Sequence, residues 1–158
     1  MPLEKSTTIS QGAPEVAAKK KKKNWAWPGK LHIVFTGNFY EAFRNPTEFA
    51  KALHLLNSQD IAITIAGDNT RFANLFKGIQ NVKFLGRIDH FECLALQGSA
   101  DILLNIGNSQ NYQLPGKIYE YLVTGKTILH LRGSTLDPTD GILREVASSY
   151  VVDNVHAP

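Results

Sequence analysis

The 158-residue sequence predicts an α/β fold, a Rossmann-like three-layer domain around a parallel sheet of about six strands. Three observations carry this. Short, continuously apolar runs recur along the chain, as in strands buried on both faces. Stretches with helical apolar spacing and cap signals separate them. Gly37, Gly67, Gly86 and Gly107 each follow such a run, and in doubly wound sheets that rim carries the ligand.

The elements follow in order. Residues 1–29 read as a disordered tail or interdomain linker, poor in large apolar groups as far as residue 24 and rich in lysine from Lys19 to Lys23. Such a segment buries too little to offset the cost of ordering it. Trp25 to Gly29 reads as a transition able to pack on the domain edge. Residues 30–158 form the domain. Leu31 to Phe35 is the first strand. Asn45-Pro46-Thr47-Glu48 signals a helix, with Asn45 as cap, Pro46 in the first position and Glu48 completing a capping box. Phe49, Ala52, Leu53 and Leu56 give its apolar stripe. Ile61 to Ala66 is the second strand. Phe72, Leu75, Phe76 and Ile79 form a second helical stripe. Val82 to Leu85 is the third strand, and Asp89 with Glu92 signals the next helix. Ile102 to Ile106 is the fourth strand, Thr127 to Leu131 the fifth. Asp137-Pro138 opens a last helix, and Tyr150 to Val152 is the sixth strand.

Composition narrows the function. Apolar residues make up 43% of the chain, enough for a packed core. No apolar run is long enough to span a membrane, and Met1 to Ala18 lacks the apolar segment of a signal peptide. The expected location is cytoplasmic. The net charge of +3 is inflated by the five lysines from Lys19 to Lys23. They read as a solvated, self-repelling linker, with peripheral contact to an anionic membrane surface as the alternative. No basic stripe interleaved with aromatics remains to bind nucleic acid. A single cysteine, Cys93, excludes an internal disulfide and reads as a packing residue. The five histidines show no metal-ligand spacing, and His32 and His130 read as structural.

The segment Pro115-Gly116-Lys117-Ile118-Tyr119-Glu120-Tyr121-Leu122, closed by Gly125-Lys126, carries the most chemistry. A helix N-terminus offers unpaired N–H groups and a partial positive charge. Gly116 admits a ligand to that backbone, and Lys117 adds a full charge. Glu120 shares their face one turn on, while Ile118 and Leu122 lie opposite. A phosphate near Gly116 and Lys117 with a ribose near Glu120 outlines a nucleoside diphosphate. The bland alternative is an ordinary Lys117–Glu120 ion pair, worth about 0.2–0.5 kcal/mol.

Four segments together resemble the C-terminal, donor-binding half of the retaining nucleotide-sugar glycosyltransferases with two facing Rossmann-like domains, the GT-B fold. They are Phe35-Thr36-Gly37 with Arg44 at a helix start, Ile65-Ala66-Gly67-Asp68, Val82-Lys83-Phe84-Leu85-Gly86, and the Pro115 helix. The resemblance covers Lys30 to Pro158. It implies a hexosyltransferase-type function in glycan biosynthesis, with a nucleoside-diphosphate sugar as donor and no metal or other cofactor. It gives the chemistry to Arg44 and Lys117 at the diphosphate and Glu120 at the ribose. Gly37, Asn38, Gly67, Gly86, Arg87, Ile88, Pro115 and Gly116 would line the nucleotide. Two positions depart from the pattern. Relatives carry a second Glu eight positions before the ribose carboxylate, where this chain has Tyr112. A basic residue often follows the first glycine, where this chain has Asn38. Amide groups in Asn108 to Gln113 would then serve the sugar, and the phosphate site holds one cation fewer.

The acceptor-binding N-terminal domain of that fold has no counterpart here, so the chain reads as half of a two-domain enzyme. The resemblance implies donor binding without efficient transfer by the chain alone. Two other readings stand beside it: a sugar-nucleotide epimerase-like domain, and a non-catalytic nucleotide-binding or interaction module.

Overall fold

A computed structural model describes residues 23–108 and 116–154. The expectations for residues 1–22, for Tyr112 and for Pro115 fall outside these. Six strands form one sheet: β1 Leu31–Thr36, β2 Ile61–Ala66, β3 Val82–Gly86, β4 Ile102–Ile106, β5 Thr127–Arg132 and β6 Ser149–Asp153. Their order is β3-β2-β1-β4-β5-β6, and every pairing is parallel. The register sets Leu31 against Ile61, Ile33 against Ile102 and Leu103 against Ile128.

Alternation along the strands divides the core in two. On one face Ile33, Phe35, Ile63, Ile65, Leu104 and Ile106 meet Phe49, Ala50 and Leu53 of helix α1, Thr47–Leu56, with Phe72 and Phe76. On the other, Val34, Ala66, Leu103 and Ile128 meet Leu96, Ile118, Tyr121 and Leu143. These come from α2, His90–Gly98; α3, Lys117–Thr124; and α4, Pro138–Leu143. Each Val, Leu, Ile or Phe side chain among these, fully buried, contributes about 1.5–3 kcal/mol of transfer free energy. Trp27 reaches the second face over β2, its indole Nε1 donating to Thr64 Oγ1 at 3.2 Å.

Several local expectations need correction. The Phe72 to Ile79 stripe is not an α-helix: Thr70–Phe76 is a 3₁₀-helix. Its three-residue period also aligns Phe72 with Leu75. Asn69, the residue before it, spends its side chain elsewhere, accepting from Phe39 N at 2.7 Å and donating to Gly37 O at 2.8 Å. Helix α1 starts at Thr47, one residue later than Pro46. Asn45 Oδ1 still accepts from Thr47 N at 3.0 Å, and Glu48 pairs with Lys51 at 2.9 Å. Asp89 caps α2 as expected, accepting from Glu92 N at 2.9 Å, and Asp137 caps α4 through Thr139 N at 2.9 Å. Gly125 ends α3 in the left-handed conformation at φ 65°.

Candidate functional site

The strand order reverses between β1 and β4. Chain leaving β1 crosses one face through α1, and chain leaving β4 crosses the other through α3, and in sheets of this kind the ligand crevice lies at the carboxyl ends of such strands. Residues from both sides meet there.

From β1, Thr36 N donates to the Tyr121 hydroxyl at 3.0 Å, and Thr36 Oγ1 lies 3.1 Å from the same oxygen. Burial raises the Tyr121 phenol to about 12, against the pull of its bonds to Thr36. It stays protonated and pins α3 to the sheet. Gln97 of α2 is fully buried and reaches across. Its Nε2 donates to Thr36 Oγ1 at 3.0 Å and to Glu120 Oε2 at 2.9 Å. Lys117 Nζ grips the same carboxylate at 3.0 and 2.8 Å. The structure thus brings Lys117 and Glu120 together as an ion pair, with the lysine the more exposed partner at 35% against 14%. Cys93 Sγ lies 3.8 Å from Lys117 Nζ. Burial pushes its thiol up despite that ammonium, so it is a neutral packing group.

Arg44 precedes α1 and closes a short turn with Tyr40, their backbones bonding in both directions at 3.0 Å. Its Nη2 donates to Asn108 Oδ1 at 3.0 Å, spanning the crevice from the β1 side to the β4 side. Burial lowers the guanidinium from its usual value, with Tyr40 and Tyr121 opposing. Arg44 and the Lys117–Glu120 pair therefore flank one crevice, which their separation in sequence does not reveal.

The glycines hold the rim close. A Cβ on Gly67 would lie 2.0 Å from Gly37 O and 2.8 Å from Asn38 Oδ1. Asn38 Oδ1 accepts from Asp68 N at 2.9 Å and so staples the loops after β1 and β2 together. Gly86 O accepts from Gly67 N at 2.8 Å. In the turn beyond, Arg87 is exposed while Ile88 packs against the second core face. Gly116 stands at the cap position of α3.

A second polar network supports the rim from beneath. His130 is fully buried, with Nδ1 2.9 Å from Asn105 Nδ2 and Nε2 3.2 Å from Asp137 Oδ2. Burial would raise the Asp137 carboxyl, but bonds from His130 and Thr139 outweigh it and hold the group at about 2. A Cβ on Gly107 would fall 1.9 Å from Asp137 Oδ2, so this network sets where Gly107 and then Asn108 lie.

Sequence reasoning missed Gln97, Tyr121 as an anchor, and the Asn69 brace. Gln97 did carry a signal: it lies on the apolar stripe of α2 with Cys93, Leu94 and Leu96, where a polar group needs a partner.

The family profile described as glycosyl transferases group 1 matches residues 30–148. The chain belongs to that glycosyltransferase family. No curated protein matches it. Solved structures share its fold. The E. coli heptosyltransferase WaaC with ADP-2-deoxy-2-fluoro heptose aligns with TM-score 0.58 and 16% identity, over 85% of this chain and 39% of that one. WaaG, a glycosyltransferase involved in lipopolysaccharide biosynthesis, aligns with TM-score 0.60 and 14% identity, over 83% and 35%. The UDP-GlcNAc 2-epimerase from Methanocaldococcus jannaschii aligns with TM-score 0.57 and 16% identity, over 82% and 36%. This glycosyltransferase-family chain therefore spans well under half the length of the structures it resembles. Among its described residues no helix is long and apolar enough to cross a membrane.

Proposed function

We propose that this chain is the C-terminal, donor-binding half of a retaining glycosyltransferase of hexosyltransferase type, acting in the cytoplasm. It binds a nucleoside-diphosphate sugar at the carboxyl ends of β1 and β4. With an acceptor-binding domain it transfers the sugar. The observation that carries this reading is the crevice itself: Arg44 on one side, and Lys117 and Glu120 at the start of α3 on the other.

Each group has a chemical role in that reading. Lys117, the N–H groups at Gly116 and the helix dipole hold the distal phosphate, and Arg44 holds the diphosphate. When the bond from the anomeric carbon to the diphosphate breaks, negative charge grows on the leaving oxygen. Fixed cations and oriented N–H groups stabilise it there, so the reading calls for no metal. Glu120 accepts from the ribose hydroxyls. Gly37, Asn38 and Gly67 shape the floor beneath the phosphates, and the Gly86-Arg87-Ile88 turn frames the base.

An epimerase reading shares the fold but calls for an acid and a base in the crevice. Among the described residues His130 lies 3.2 Å from Asp137 and 3.7 Å from Asp140, and its ring is 0% exposed, out of a substrate's reach. That favours transfer. The test is a titration with ADP and with UDP. A carboxylate hydrogen bond is worth about 1.5–3 kcal/mol, so Glu120→Ala should weaken binding by about tenfold or more. Unchanged affinity in a folded Glu120→Ala variant removes Glu120 from the site.

A further inference from the structure

Lys117 and Glu120 neutralise each other in the ligand-free chain, yet the donor-binding reading asks them to serve different ends of one nucleotide. Lys117 must leave for a phosphate. A carboxylate stripped of its only partner would follow it or turn to solvent. Glu120 has another partner. Gln97 Nε2 donates to Glu120 Oε2 at 2.9 Å from a fully buried position on α2, whereas the Lys117 side chain is 35% exposed.

The Gln97 amide is set for this contact at a cost. Its Nε2 donates to Thr36 Oγ1 and Glu120 Oε2 and also lies 3.5 Å from Cys93 Sγ, while its carbonyl Oε1 is buried without a partner among the described residues. Turning the amide over would set Oε1 against the carboxylate. The charge on Glu120 therefore dictates the orientation. Thr36, the other anchor, is itself fixed by Tyr121, the residue after Glu120. Sheet, α2 and α3 thus converge on the carboxylate from behind.

We propose that Gln97 is the positioning residue of the site. It keeps the Glu120 carboxylate in place when Lys117 moves to a phosphate, and so makes the crevice select ribonucleotides over their 2′,3′-dideoxy counterparts. This rests on the donor-binding reading above.

The experiment measures the affinities of the full chain for ADP and UDP, for 2′,3′-dideoxy-ADP and dideoxy-UDP, and for inorganic pyrophosphate. Wild type should favour the ribose form by about tenfold or more. Gln97→Met should compress that preference to about threefold or less and leave pyrophosphate affinity within about twofold, because only the ribose contact loses its support. A wild-type readout needs no variant: the Gln97 side-chain NH₂ resonances should stay protected from exchange at saturating nucleotide. Three results overturn the proposal. One is a Gln97→Met variant that keeps the preference while Glu120→Ala loses it. A second is equal weakening of nucleotide and pyrophosphate, which marks a merely structural residue. The third is loss of NH₂ protection on nucleotide binding. Failure of wild type to bind either nucleotide overturns the donor-binding reading itself.

Discussion

Gly67→Ala tests the packing of the crevice floor. Gly67 has φ +130°, and an added Cβ would lie 2.0 Å from the Gly37 carbonyl oxygen and 2.8 Å from its carbon. Those are backbone atoms that no rotamer change moves aside. The left-handed conformation alone costs a non-glycine residue about 1–3 kcal/mol. Relief of the clash pushes Gly37 away, and Asn69 Nδ2 loses its acceptor there. A buried donor left unpaired costs about 1–3 kcal/mol more. The sum is about 2–6 kcal/mol. Gly78→Ala is the reference, since Gly78 has φ +88° but nothing within 4 Å of an added Cβ. Urea unfolding followed by circular dichroism gives both stabilities, with unchanged slope marking a true change in the folded state. The conformational cost is common to both, so Gly67→Ala should be less stable than Gly78→Ala by about 1–3 kcal/mol. Equal effects would refute the claim that the loops after β1 and β2 touch backbone to backbone.

Asp137→Ala removes the α4 cap and the partner of buried His130. The two losses total about 2–4 kcal/mol, read as a fall in melting temperature of roughly 5–12 °C. Because the folded Asp137 carboxyl sits at about 2, below its ordinary 3.8, it adds stability that is complete above that ordinary value. About 2 kcal/mol should vanish as pH falls from about 4 to about 2, and urea midpoints across that window should be flatter in Asp137→Asn. Arg44→Met should weaken ADP and UDP by about tenfold but leave the bare nucleosides unaffected, as calorimetry would record, since a guanidinium–phosphate bond is worth about 1.5–3 kcal/mol. Wild-type chain should bind donor without appreciable transfer, and an acceptor-binding domain added in cis or in trans should restore it. Robust transfer by the chain alone would contradict the two-domain reading.

The strands were legible because parallel strands covered on both faces need apolar residues at successive positions. Ile61 to Ala66 and Ile102 to Ile106 read directly as such runs. The helices were legible where a cap kept to its own helix, as Asp89 and Asp137 do. Asn69 is the opposite case. It sits where a cap belongs but braces Gly37 and Phe39, a choice made by residues some thirty positions away. The pairing of Lys117 with Glu120 follows from helix geometry alone. What it cannot convey is that Gln97 and Thr36 stand behind the carboxylate, because α2 and β1 meet there only after the sheet has formed. Asn38 shows the same limit. Its departure from the common basic residue looked like a lost cation, and in the structure its side chain accepts from Asp68 N and joins two rim loops.

The central claim is that a nucleoside diphosphate binds where the strand order reverses. Amide resonances followed during ADP and UDP titrations of the full chain test it most directly. The account expects saturable shifts in Gly37, Asn38, Asn108 and the segment from Gly116 to Glu120, with β6 and the exposed end of α1 at Leu55 and Leu56 unmoved. Shifts confined to those distant elements, or no saturation with either nucleotide, would contradict it.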